Sequence, residues 1–243
     1  MKGTEGTEGM ESMEGDEPAL LVRRPAGPAR AVALVLHGGA QFGAGVVRPW
    51  GLAYLRMVPL ARALYAAGAA HGLEVRLLRN RVRGWNEPAL DPVLDARWAL
   101  GRLRAEHPGL PVVLVGHSMG GRVALRVADD PAVVGVCALA PWTPGDEPVE
   151  PVRGRSVLIA HGTQDRVTGP ADSYAYAVRA EASAARLARF EVTAEGHAML
   201  RRPPVWSRLV AEFTLRTLEL PFRDGLVTSA WTKPPAQRLR IPL

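Results

Sequence analysis

The segment that most constrains this chain is the apolar run Val112-Val113-Leu114-Val115 followed at once by Gly116-His117-Ser118-Met119-Gly120. Four consecutive β-formers predict a buried strand, and Val123, Ala124, Val127 and Ala128 recur at helical spacing just beyond it. The chain must therefore pass from strand to helix in about one residue. Such a turn forces its central residue into a strained backbone conformation and pushes that side chain off the edge of the sheet. Glycine is required at 116 and 120 because a Cβ there would meet the crossing strand and helix. Ser118 is thereby displayed as a candidate nucleophile. The plainer reading is a tight strand-to-helix turn with an inert serine.

Strand and helix patterns alternate on both sides of this turn. Strands are predicted over 31–36, 73–78, 112–115, 133–139, 156–160 and 187–193, with helices over 54–67, 90–106, 119–129, 171–185 and 204–219. Continuous apolar strands such as Ala31 to Leu36 belong to sheets covered on both faces. The expected class is α/β, a mostly parallel central sheet with helices on both faces. Ligands in such sheets sit beyond the carboxyl ends of the strands, where Ser118 falls. Residues 1–17 carry six acids and Lys2 with no periodic apolar positions, which predicts a disordered acidic tail. The folded domain is expected over 18–221. Residues 222–243 are expected as a loose, surface-draped extension that Trp231 and Leu239 could anchor.

A serine hydroxyl is a weak nucleophile at neutral pH and needs a base, which in turn needs an orienting acid. The strand at 156–160 runs into His161-Gly162-Thr163-Gln164-Asp165, and the last strand runs into Thr193-Ala194-Glu195-Gly196-His197. Asp165 and His197 thus fall on strand-end loops at the edge that carries Ser118. Asp146 and Glu147 are a rival source of the acid, in a stretch that reads as a solvated acidic loop. After strand 31–36 comes His37-Gly38-Gly39-Ala40, whose glycines let backbone N–H groups approach a substrate oxygen. Gly39 is the first choice for that donor and Ala40 the second, with the Met119 N–H as its counterpart. Phe42, Trp85, Trp142 and Met199 lie in or near strand-end loops and could line an apolar pocket with Met119. His117 reads as a packing residue, and His37 and His161 as partners of local backbone. No histidine pair has zinc-binding spacing, so no metal is expected.

These motifs together resemble the α/β-hydrolases: G-H-S-M-G-G at 116–121, H-G-G at 37–39, G-T-Q-D at 162–165 and G-H at 196–197, in that family's strand context over about residues 20 to 220. The resemblance implies that Ser118 attacks a carbonyl, His197 takes its proton, Asp165 holds the imidazole, and Gly39 and Met119 bind the oxyanion, with no cofactor. Many members insert a helical cap after the sixth core strand. Here Ala140 to Arg155 is too short for one, so an open site under short loops is expected.

Composition bounds the substrate and address. A net charge of +6 with pI near 10.2 invites nucleic acid as a partner. However, Lys2 and Lys233 are the only lysines, and the arginines are spread along the chain without a basic stripe. Nucleic-acid binding is therefore not expected. No stretch approaches the roughly 20 apolar residues of a membrane span, and neither a secretory signal nor a cysteine partner for Cys137 is visible. A cytoplasmic address is expected. The reading is a serine hydrolase of small or medium carboxylic esters. A thioesterase acting on acyl-coenzyme A or an acyl-carrier protein would use the same groups, and a low-turnover ligand-binding protein is the rival from another class.

Overall fold

In the computed structural model, which describes residues 17–223 and 225–243, eight strands form one sheet. All but Glu17 of the expected acidic tail lies outside the described residues. The strands are β1 (Ala19–Arg23), β2 (Ala31–Leu36), β3 (Leu73–Arg79), β4 (Val112–His117), β5 (Val133–Leu139), β6 (Ser156–Gly162), β7 (Arg186–Val192) and β8 (Ile241–Pro242). Their spatial order is β1-β3-β2-β4-β5-β6-β7-β8. Only β1 runs antiparallel, against β3.

The helices are α1 (Leu52–Gly68), α2 (Asp91–Glu106), α3 (Met119–Arg126), α4 (Pro170–Ala180), α5 (Pro203–Thr217), α6 (Leu226–Trp231) and α7 (Pro235–Arg238). The period-2 geometry of a strand sends alternate residues to opposite faces. Ala31, Ala33 and Val35 of β2 enter a core with Met57 and Leu64 of α1 and Trp206, Leu209 and Phe213 of α5. Val32, Leu34 and Leu36 enter a second core with Leu100 and Leu103 of α2, Val123 of α3 and Tyr176 of α4. Every residue of β2, β4 and β6 is buried, as a strand covered on both faces must be.

Between β5 and β6 lie only residues 140–155, with a single 3₁₀ turn at Glu150–Val152, too short a connection to hold a helical cap domain. The C-terminal stretch differs from a draped extension. Val227 and Ala230 of α6 and Ile241 of β8 join the first core, Leu239 joins the second, and β8 extends the sheet by pairing Phe190 with Ile241. In-register pairing of Leu36 with Gly116, His117 with Leu139 and Leu139 with Ala160 aligns the strand ends into one rim.

Candidate active site

Ser118 sits at the rim with φ 56° and ψ −119°, a conformation that costs a non-glycine residue on the order of 1–3 kcal/mol. It is held there because its N–H donates to the Leu139 carbonyl (2.9 Å) while its own carbonyl accepts from the Trp142 N–H (3.2 Å). A Cβ on Gly116 would overlap the Gly120 carbonyl, and one on Gly120 would fall 2.6 Å from the His37 carbonyl oxygen. Both glycines are therefore fixed by close backbone crossings.

The structure brings three distant side chains into one hydrogen-bonded line. Ser118 Oγ lies 2.9 Å from His197 Nε2, and His197 Nδ1 lies 2.8 Å from Asp165 Oδ2. The carboxylate assigns a proton to Nδ1, which leaves Nε2 to accept from the serine hydroxyl. The Asp165 side chain is fully covered, whereas His197 keeps 14% exposure, so the imidazole is reachable from outside and the carboxylate is not. Burial alone would raise the Asp165 pKa. Hydrogen bonds from His161, His197 and the Val167 and Thr168 N–H groups outweigh it and hold the acid well below the usual carboxylate range.

Several supporting residues were not legible as such. His161 does not bond to local backbone alone: β6 continues to Gly162, which leaves the imidazole fully buried with Nε2 3.1 Å from Asp165 Oδ2 and Nδ1 2.8 Å from Ser173 Oγ. Thr168 Oγ1 lies 3.1 Å from the same carboxylate oxygen and 3.1 Å from His197 Nδ1. His117 Nε2 donates to the His197 carbonyl oxygen at 2.8 Å, tying the loop that carries His197 to the elbow. Burial first, then the charge of His197, lowers its pKa to about 3, so the ring is neutral. Glu195 is buried and accepts the N–H groups of Gly196, Arg201 and Arg202 and the Trp206 indole, which pins the same loop from beneath. His37 behaves as expected, with Nδ1 donating to the Gly38 carbonyl (2.6 Å) and Nε2 accepting from the Asn80 N–H (3.1 Å). Burial lowers its pKa to about 4.

Gly38 and Gly39 flank the serine. A Cβ on Gly38 would stand 3.3 Å from Ser118 Cβ, and one on Gly39 would overlap the Met119 side chain and the Arg83 carbonyl. Among the described residues, no hydrogen bond occupies the N–H groups of Gly39 or Met119. The Ala40 N–H is different, because it donates to the Arg83 carbonyl at 2.9 Å. Of the two upstream N–H groups, only that of Gly39 is unengaged among the described residues.

The four residues expected around an apolar pocket separate into two places. Met199 lines an apolar groove with Leu60 and Trp206, whereas Phe42, Trp85 and Trp142 border a smaller cavity of about 170 Å³ together with Arg122, Glu87 and Asp146. In that smaller cavity the Arg122 guanidinium is stacked between Trp85 (3.9 Å) and Trp142 (4.4 Å). Glu147 was expected in a solvated loop. It is instead fully buried and paired with Arg122 and Arg126, while Asp146 is exposed. Its partners therefore commit Glu147 to α3 and not to His197. Among the described residues, no cluster of His, Cys, Asp and Glu could hold a metal ion, and no helix is long and apolar enough to cross a membrane.

Comparison with known proteins agrees with this fold. The structure resembles a lidless α/β serine hydrolase from Xanthomonas campestris (TM-score 0.63, 18% identity, 85% of this chain and 91% of that one). It also resembles esterase 2 of Thermogutta terrifontis, solved after phosphorylation by paraoxon (TM-score 0.65, 16% identity, 85% and 91%). A monoacylglycerol lipase from Paleococcus ferrophilus is similar as well (TM-score 0.59, 15% identity, 82% and 99%). At these identities the likeness shows the fold alone. No curated protein matches the sequence. The model described as "Alpha/beta hydrolase family" matches residues 33–241, and the chain belongs to that family.

Proposed function

We propose that this hydrolase cleaves carboxylic esters of small or medium size through an acyl-enzyme. Ser118 Oγ attacks the ester carbonyl carbon as His197 Nε2 takes the hydroxyl proton, and the carbonyl oxygen becomes an oxyanion facing the Gly39 and Met119 N–H groups. Collapse breaks the bond to the leaving oxygen, which takes the proton back from His197 and departs as the alcohol. Water then repeats the sequence on the acyl-enzyme, with His197 again as base, and releases the carboxylic acid. Base catalysis of this kind contributes about 10²–10⁴ in rate, and a single well-aimed oxyanion donor about 10²–10³.

The observation that carries this reading is the unbroken hydrogen-bonded line from Ser118 through His197 to Asp165. The strained backbone of Ser118 adds support, since strain persists where surrounding structure over-determines it. The bare rim favours compact substrates, and the esterase and lipase that share the fold favour oxygen esters. In the decisive experiment, Ser118→Ala is expected to lose p-nitrophenyl ester turnover and fluorophosphonate labelling while keeping its melting transition. Labelling that survives in this variant refutes the assignment. Faster turnover of acyl-coenzyme A than of the matched p-nitrophenyl ester would move the bond to a thioester.

A further inference from the structure

An apolar groove of about 570 Å³ lies between the N-terminal half of α1 and the stretch from Ala198 to Ser207. That volume is in the range of small-molecule sites. Leu55, Leu60, Met199 and Trp206 wall it, and Leu52 and Leu200 stand on its edge at 81% and 70% exposure. Such exposure of large apolar side chains, in a groove whose lining includes the residue after His197, marks surface that a ligand can cover.

One wall residue does not fit an apolar purpose. Arg56 is half-buried and, among the described residues, is the only charged side chain lining the groove. Among the described residues it has no hydrogen bond, ion pair or ring contact. The carboxylate next to this wall, Glu195, is buried and already filled by backbone N–H groups and the Trp206 indole. A guanidinium set in apolar surface without a counter-charge is a ready partner for a carboxylate or phosphate, which it binds through two parallel N–H donors.

The position of the groove says which part of a substrate it would take. Its wall begins at Ala198, the residue directly after His197. The leaving oxygen must lie on the His197 side of the reacting carbon, because His197 returns the proton to it. The charge of Arg56 is also felt at His117, the neighbour of Ser118.

We infer that the leaving-group side of the site accepts an apolar alcohol bearing an anionic group, with Arg56 as the specificity-determining residue. This rests on the ester-hydrolase reading and names its substrate class: amphipathic esters whose alcohol portion ends in a carboxylate or phosphate.

The test compares hexyl acetate, 6-acetoxyhexanoate and 6-acetoxyhexyl phosphate by pH-stat, with monoethyl suberate carrying the charge on the acyl side instead. The wild-type protein is expected to favour the two anionic alcohols over hexyl acetate by about tenfold in kcat/KM, the worth of one charge-assisted hydrogen bond. Monoethyl suberate should gain no such preference over diethyl suberate. Arg56→Met keeps the apolar stem and removes the charge, and its anionic-to-neutral ratio should fall to about one through KM. Arg56→Lys should keep a ratio above that of Arg56→Met. Whichever anion is favoured identifies the head group. A ratio near one in the wild type, a ratio that survives in Arg56→Met, or Arg56→Lys no better than Arg56→Met overturns the inference. If no ester is turned over, the ester reading fails and the groove is judged by calorimetry with octanoate, octyl phosphate and octanol. Anion preference lost in Arg56→Met then supports the site, and equal binding of all three overturns it.

Discussion

Replacing Asp165 with Asn exchanges one acceptor oxygen for a donor at a point where donors already converge. Oδ2 accepts from His197 Nδ1 (2.8 Å) and His161 Nε2 (3.1 Å), with the Thr168 hydroxyl at 3.1 Å. Oδ1 accepts from the N–H groups of Val167 (2.8 Å) and Thr168 (3.1 Å). An asparagine can be seated in two ways. With its NH₂ toward Val167 and Thr168, two backbone donors lose their acceptor at about 1–3 kcal/mol each. With its NH₂ toward the histidines, His197 must carry its proton on Nε2, where it can no longer accept from Ser118. The second seating moves protons without breaking the loop, so it is the one expected. A base locked in the wrong tautomer loses on the order of 10⁴ in kcat, about 5 kcal/mol of barrier. Steady-state turnover of p-nitrophenyl butyrate should therefore show kcat down by about 10⁴ with KM near the parent value. Melting should fall by no more than a few degrees, at roughly 2–4 °C per kcal/mol in a chain of this size. A kcat within about tenfold of the parent would remove Asp165 from the role of orienting acid.

Gly39→Ala puts a Cβ into the Arg83 carbonyl and the Met119 side chain, so the backbone at 39 must shift. Loss of that donor predicts kcat lower by about 10²–10³ on the same ester, and an unchanged kcat would move the oxyanion donor elsewhere. Acid should destabilise the fold in two stages. His117 and His37 are held neutral to about 3 and about 4, against 6.5 for an unperturbed imidazole. The unfolded chain therefore binds protons that the folded one refuses, and stability is present above pH 6.5 and lost as pH falls through that window. By pH 4 the loss is about 3 kcal/mol for each ring. Asp165, held below its ordinary value, adds a further loss below about pH 4. Thermal melts between pH 7.5 and 4 test this, with a shallower slope expected for His117→Gln; a flat profile would contradict it.

The elbow was readable because its sequence requirement is local: a buried strand, two glycines and a helix face leave Ser118 little choice of position. Asp165 and His197 were readable because parallel strands deliver their following loops to one rim. What escaped the sequence depends on where a strand stops or on what lies across the fold. The extension of β6 by two residues turns His161 from a loop residue into a buried partner of Asp165. Glu147 reads as an exposed acid beside Asp146 and Pro144, and only the placement of Arg122 and Arg126 on α3 makes its burial tolerable. Trp85 and Trp142 read as pocket walls like Met199, but the same arginine fills the space between them. β8 has just two residues, one of them proline, too little signal for any periodicity.

The histidines around Ser118 have a division of labour that follows from burial. The rings of His117 and His197 stand 4.8 Å apart, close enough that two positive charges there would repel strongly in a partly dry site. In the proposed mechanism His197 carries a proton transiently each time it serves as base. His117 is wholly enclosed and already below its ordinary pKa, so it stays neutral while that happens, and its Nε2–H keeps hold of the His197 carbonyl. The imidazolium then faces a neutral ring on one side and the buried Asp165 carboxylate on the other. In the proposed mechanism one proton circulates between Ser118, His197 and the substrate, beside a His117 ring that stays neutral.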